Sequence, residues 1–143
     1  MGSDCTTDDL KVTSASGSGG AAGSFYSYID FTNTGTSPCR IEGYPGVSLT
    51  SASGAQIGAA ATRDPASTAA NVTIPAGGTV KAQLRMTDPG VYSTSQCQPT
   101  AAADLKVYPP NNTTAVQVPF ASGTTCSNPA IKMLTVGAVT QGA

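Results

Sequence analysis

Four cysteines and a complete absence of histidine most constrain what this chain can fold into and do. The cysteines are widely and irregularly spaced in a chain of 143 residues, of which only 10% are charged. An even cysteine count in a small chain rich in glycine, serine, threonine and alanine is typical of structural disulfides, which form in oxidising compartments. We therefore expect an exported protein of the cell envelope or extracellular space, with two disulfides formed by Cys5, Cys39, Cys97 and Cys126.

Four cysteines allow three disulfide connectivities. We favour Cys5–Cys39 and Cys97–Cys126, because the first bridge would pin the N-terminal strand to the loop after the next strand, and the second would bracket a predicted hairpin. Each bridge closes a loop of roughly thirty residues, which the chain-entropy model values at about 3–4 kcal/mol. Pairing Cys5 with Cys126 and Cys39 with Cys97 would instead join the N- and C-terminal strands, and this alternative stays open.

Alternation of apolar and polar residues dominates the chain, and helical periodicity is nearly absent. Ser24–Asn33 and Thr79–Thr87 show the alternation best, with apolar residues on one face and polar residues on the other. Short strands punctuated by Gly, Pro and Asn predict an all-β, immunoglobulin-like antiparallel sandwich of seven to nine strands. The nine candidate strands are Asp8–Ser14, Ser24–Asn33, Val47–Thr50, Ala55–Thr62, Asn71–Ile74, Thr79–Thr87, Asp104–Tyr108, Ala115–Phe120 and Ile131–Val136.

The length suits one domain with its own core, which we place at residues 4–140. We interpret Met1–Ser3 as residues left over from recombinant expression. Ser14–Gly23 is interpreted as a loop between strands, and Gln141–Ala143 as a frayed tail. Asp88–Thr100 is the longest irregular connection and has room for one helical turn. No run approaches the roughly 18 apolar residues of a membrane span. We expect a monomer. Any contact with a membrane would be made only through an anchor that has been removed from this chain.

The residue types exclude most catalytic chemistry. Without histidine or free cysteine, the chain lacks the usual general base, the usual zinc and copper ligands, and thiol redox chemistry. Asp4, Asp8 and Asp9 are the closest approach to a calcium site, and they lack the spacing of a calcium loop. The seven lysines and arginines are scattered singly, which argues against nucleic acid as a partner. We expect no enzymatic activity, no cofactor and no metal site.

Tyrosines are the candidate contact residues. Tyr26 and Tyr28 fall on the solvent side of their strand, while Tyr44 and Tyr92 lie in or near loops. Tyrosine offers a large contact area at a low entropy cost. Each ring also has a structural interpretation, because sandwich edges bury tyrosines, and Tyr44 beside Pro45 suits a packed corner tyrosine whose hydroxyl bonds a loop backbone.

Several motifs occur in a characteristic order along the chain, and together they resemble the actinobacterial domain-of-unknown-function 4232 family. The motif specific to the family is Cys39–Val47, which reads CRIEGYPGV. The resemblance implies a secreted or lipid-anchored cell-envelope domain and no known activity. The other matching segments are Cys5 with Leu10, Phe31–Asn33, Ile74–Gly78, Cys97–Pro99, Leu105–Pro110 and Cys126.

Three functions fit a disulfide-braced sandwich without catalytic groups. We favour a non-enzymatic binding or adhesion module whose partner is a protein or a cell-wall polymer. The alternatives are a secreted protease inhibitor, which would present Tyr92 from the loop Asp88–Cys97 to a protease pocket, and a structural spacer domain. Fold alone does not decide among these functions.

Overall fold

The computed structural model describes residues 3–16, 24–64, 67–87, 92–119 and 124–140, and within them it contains strands and two short helical segments. The helical segments are a 3-10 turn η1 (Thr7–Asp9) and a single α-turn α1 (Thr94–Cys97). The strands are β1 (Ser3–Asp4), β2 (Leu10–Ser16), β3 (Ser24–Asn33), β4 (Cys39–Ile41), β5 (Gly46–Thr50), β6 (Gln56–Ile57), β7 (Thr62–Arg63), β8 (Val72–Ile74), β9 (Thr79–Thr87), β10 (Pro99–Ala101), β11 (Asp104–Tyr108), β12 (Val116–Pro119), β13 (Thr124–Cys126) and β14 (Leu134–Val136).

The largest sheet has five strands in the order β2-β3-β9-β14-β7, antiparallel except for the last pair. Its long central pair is in register over nine residues, with Ile29 opposite Ala82 and Tyr28 opposite Gln83. Since side chains alternate across a strand, one face of the pair is apolar and buried, and the other is polar. Ile29, Phe31 and Leu84 lie on the buried face.

A four-stranded antiparallel sheet of order β12-β11-β5-β6 supplies the second layer. Leu105 lies opposite Leu49, and Val107 lies opposite Val47. These four side chains are buried in the same hydrophobic core as the apolar face of the five-stranded sheet. The two larger sheets therefore pack as a sandwich, and β12 runs alongside β2 at one edge.

Two small sheets carry the disulfides. β1, β4 and β8 form a three-stranded sheet stapled by Cys5–Cys39, and β10 pairs with β13, where Cys126 is bonded to Cys97 of α1. No cysteine is free. The predicted all-β antiparallel sandwich and the favoured disulfide pairing are both confirmed.

The nine predicted strands all correspond to strands, but several bounds were wrong. Asp8 and Asp9 belong to η1, because the Asp9 N–H donates to the Thr6 carbonyl and the Thr6 hydroxyl donates to the Asp9 carboxylate. Strand β2 therefore starts at Leu10. The segment predicted as one strand over Ala55–Thr62 is broken after Ile57, where Gly58 has a φ of 70°.

The described part of the chain also forms four short strands that the sequence did not indicate, so the number of strands there exceeds the expected seven to nine. They are two or three residues long, too short to show alternation, and all lie beside cysteines: β1, β4, β10 and β13. The predicted helical turn is present as α1. Met1 and Gly2, most of the predicted loop Ser14–Gly23, and Gln141–Ala143 lie outside the described residues.

Candidate functional site: the outer face of the five-stranded sheet

The polar face of the five-stranded sheet, called here the outer face, carries two of the predicted tyrosines in neighbouring cross-strand rows. Tyr26 lies opposite Arg85, and Tyr28 lies opposite Gln83. The described side chains that share this face by register are Lys11, Thr13, Tyr26, Tyr28, Asp30, Thr32, Thr62, Thr79, Lys81, Gln83, Arg85, Thr87 and Thr135. None of these is aliphatic, so this face lacks the apolar surface that would pack against another sheet or helix.

Both tyrosine rings are half-buried, and each has a cation near it on the paired strand β9. The Lys81 ammonium lies 4.9 Å from the centre of the Tyr28 ring, within the range of a cation–π contact. Among the described residues, neither tyrosine hydroxyl has a hydrogen-bond partner. Successive outward residues of a strand are about 6.8 Å apart, so the two rings form a short row along β3 with their hydroxyls available to a ligand.

A groove of about 250 Å³ opens beside Tyr28. Its walls come from three parts of the chain: β3 and β9, the loop after β7, and the segment after β14. The lining residues are Tyr28, Asp64, Ser67, Lys81, Gln83, Gly137, Ala138 and Thr140.

A β-bulge after β14 creates this groove. The Gly137 N–H donates to the Gln83 carbonyl in normal register, but the next paired residue is Thr140, opposite Lys81. Continued register would bring Val139 to that position, so the segment contains one extra residue. Val139 is instead drawn away from the sheet, where its N–H donates to the Gly43 carbonyl at 2.9 Å.

The groove offers several hydrogen-bond donors. Ser67 Oγ accepts from the Ala138 N–H at 2.8 Å, which leaves the serine O–H to donate. Lys81 has no carboxylate within ion-pair distance among the described residues, and the exposed Gln83 amide has no hydrogen bond there either. Gly137 keeps the groove open, because a Cβ at this position would lie 3.5 Å from Ser67 Oγ.

Tyr44 is not on the outer face, but it positions part of the groove. Its hydroxyl donates to the Ser67 carbonyl and approaches the Asp64 carbonyl at 3.4 Å, and the Arg63 guanidinium lies 5.1 Å from its ring centre. This is the hydrogen bond to a loop backbone that the structural interpretation of Tyr44 predicted. Tyr44 therefore fixes the loop from which Ser67 reaches the groove.

Tyr92 lies in the loop before α1 and packs half-buried against the hydrophobic core. After it, Ser93 caps α1 by accepting from the Gln96 N–H, and the chain up to Cys97 is helical rather than extended. The first part of the predicted inhibitory loop, residues 88–91, lies outside the described residues.

A second cavity, of about 280 Å³, lies between the N-terminal segment and the turn after β11. Two of its three amides hold the fold together: Asn112 donates to the Cys5 carbonyl and Asn111 to the Glu42 carbonyl. Arg40 and Asp4 approach at 3.8 Å as an exposed ion pair. The described residues include no group of three or more acidic or cysteine side chains arranged to hold a metal ion.

Sequence reasoning identified Tyr26, Tyr28 and the outward positions of Lys81 and Gln83, because alternation alone assigns them to that face. It missed Ser67 and Gly137. Both lie outside regular strands, and a bulge of one residue leaves no periodic trace in the sequence.

None of the helices among the described residues has the length and apolar character needed to cross a bilayer. Comparison with curated proteins finds no significant match for the chain, and comparison with solved structures finds none either. A family model, described as "Domain of unknown function (DUF4232)", matches residues 5–140. This match covers nearly the whole chain and includes both disulfides, the Tyr44 turn and every residue of the groove, and the chain therefore belongs to the DUF4232 family.

Proposed function

We propose that this protein is a non-enzymatic binding or adhesion module, exported to the cell envelope or the extracellular space of an actinobacterium, and that it binds its partner through the outer face. Secretion in free or lipid-anchored form is part of the proposal. The observation that carries it is the pair Tyr26 and Tyr28, which are half-buried on an outward sheet face beside cations and whose hydroxyls have no hydrogen-bond partner in the described part of the chain.

Export is supported by the disulfides. Both bridges are buried, with the four cysteines between 1% and 5% exposed. Disulfides of this structural kind form and persist in oxidising compartments and are rare where glutathione keeps thiols reduced.

A role without catalysis is supported by the residues that the chain offers. Nucleophilic catalysis needs a base that takes the proton from a serine or cysteine. The chain has no histidine, and its four cysteines are all bonded to one another. Recognition by contact remains the use that these residues support best.

The alternatives have less support in the described residues. A substrate-like inhibitor presents its loop in extended form, whereas Thr94–Cys97 is helical and Tyr92 rests on the core. A spacer domain has no need for adjacent tyrosines with unbonded hydroxyls on one face.

The proposal is tested by retention on cell-envelope fractions of the producing organism. We expect the wild-type protein to be retained and the double variant Tyr26→Ala/Tyr28→Ala to pass through. Tyr108→Ala is the matched control, because Tyr108 is likewise half-buried with a lysine beside its ring, but on the four-stranded sheet. Equal behaviour of wild type and double variant would contradict a binding role for this face and favour the spacer.

A further inference from the structure

We infer that the outer face binds an acidic polysaccharide, with one uronic-acid unit in the groove, its sugar ring against Tyr28 and its carboxylate against Lys81. The inference rests on the proposed function, since it names the ligand class of the same face.

The charges on this face favour an anion, although the chain as a whole has a net charge of −1. The outward positions in register carry three cations, Lys11, Lys81 and Arg85, against one acid, Asp30. The groove adds a second acid, Asp64, so the cations outnumber the acids by three to two. Repeated anionic groups along a polymer suit cations spread along a sheet better than a single small anion does.

The composition of the face favours a glycan over a protein. A protein interface has a buried core of aromatic and aliphatic side chains. The described outward residues instead combine two tyrosine rings with hydroxyl, amide and charged groups. Rings that flank hydrogen-bonding groups match a sugar, which has an apolar C–H face and a rim of hydroxyls.

The groove has the size and chemistry for one acidic sugar unit. Its volume of about 250 Å³ is below that of a typical drug-sized pocket and suits a single ring. Lys81 and the Ser67 hydroxyl supply donors for a carboxylate, and the Gln83 amide both donates and accepts. Asp64 also lines the groove and places an acceptor there for sugar hydroxyls.

The proposal is tested by calorimetric titration of the intact protein with oligogalacturonate. A cello-oligosaccharide of the same length serves as the neutral glycan, and poly-glutamate serves as the acidic chain without sugar. We expect oligogalacturonate to bind, the other two not to bind, and the affinity to fall as salt is raised, because exposed charges are screened.

Three variants test the assignment to the groove. Lys81→Gln removes a charge-assisted contact and Tyr28→Ala removes the ring, so each is expected to weaken binding by about tenfold or more. Gly137→Ala is expected to weaken binding by filling the groove, while the fold tolerates it, since the new Cβ meets no atom closer than 3.5 Å. Lys106→Gln is the matched control, because Lys106 lies 5.4 Å from the Tyr108 ring centre on the other sheet.

Each remaining outcome overturns the inference in a different way. Equal binding of the cello-oligosaccharide would refute the role of the carboxylate, and equal binding of poly-glutamate would refute the role of the sugar. Absence of oligogalacturonate binding would refute the ligand class. An equal change of affinity in Lys81→Gln and Lys106→Gln would refute the assignment of the ligand to the groove. Retention on envelope fractions would still decide the proposed function separately.

Discussion

At the scale of single residues, Asn33 shows how a buried polar group organises this fold. Its side chain is 1% exposed, and both its amide nitrogen and its amide oxygen are hydrogen-bonded. Nδ2 donates to the Ser37 and Ile74 carbonyls at 2.8 and 3.0 Å, and Oδ1 accepts from the Gly35 N–H at 2.9 Å. One amide therefore joins the end of β3, the turn that follows it, and β8.

Asn33→Ala should lower the free energy of unfolding by about 2–4 kcal/mol, because it leaves buried backbone groups without partners. Asn128→Ala is the control: Asn128 makes the same types of bond, to the Gln96 carbonyl and the Ala130 N–H, at the surface. We expect it to cost less than about 1 kcal/mol in the same urea titrations. Similar losses in the two variants would contradict the structural role of burial at Asn33.

Thr125 is the opposite case, because its buried hydroxyl has no hydrogen-bond partner among the residues that the structure describes. Thr125→Val keeps the shape and β-propensity while removing an unpaired polar group, so we expect it to raise the unfolding free energy by up to about 1 kcal/mol. Thr50→Val is the matched variant, since the fully buried Thr50 hydroxyl lies 3.3 Å from the Asp104 carbonyl and 3.2 Å from Gln117 Oε1. It should lower stability by about 1 kcal/mol. If both variants shifted the melting temperature in the same direction, the hydrogen bonding of the buried hydroxyl would not explain their effects.

At the scale of elements, Gly58 sets the approach of the β5–β6 hairpin to β13. Its φ is 70°, and a Cβ there would lie 2.7 Å from the Cys126 carbonyl oxygen. Gly58→Ala therefore combines a left-handed backbone with a clash against backbone, and we expect a loss of about 2–4 kcal/mol. Gly54→Ala isolates the first effect, because Gly54 has a φ of 90° with nothing within 4 Å, and it should cost about 1 kcal/mol. Equal melting temperatures for the two variants would contradict the close approach.

The same scale shows which elements the sequence can predict. The bounds of Ser24–Asn33, Thr79–Thr87 and Asp104–Tyr108 are predicted correctly, because five to ten alternating residues define both the strand and its buried face. The four strands that were not predicted, β1, β4, β10 and β13, have only two or three residues, depend on pairing with distant segments and leave no local pattern. The groove depends on such pairing too, since Lys81 and Thr140 meet only across the bulge. Its tyrosine wall was therefore predictable, and its Ser67 and Gly137 wall was not.

At the scale of the whole molecule, the disulfides hold the small sheets, while the two larger sheets associate through their apolar faces. Cys5–Cys39 binds the N-terminal segment to β4, and Cys97–Cys126 binds α1 to β13. Neither bridge joins the five-stranded sheet directly to the four-stranded one. The core of the sandwich therefore supplies its own packing energy, and the bridges act mainly by restricting the unfolded chain.

The two bridges should therefore contribute independently to stability. They close loops of 34 and 29 residues that neither overlap nor nest along the chain, and among the described residues the hydrogen bonds around them share no residue. Replacing either pair by alanine should lower the free energy of unfolding by about 2–5 kcal/mol. Replacing both should cost the sum of the two losses to within about 0.5 kcal/mol, as expected for distant sites. Denaturant titration of the wild type and the three variants measures this directly. If the loss of unfolding free energy in the quadruple variant departs from the sum by more than that margin, the two small sheets are energetically coupled through the core.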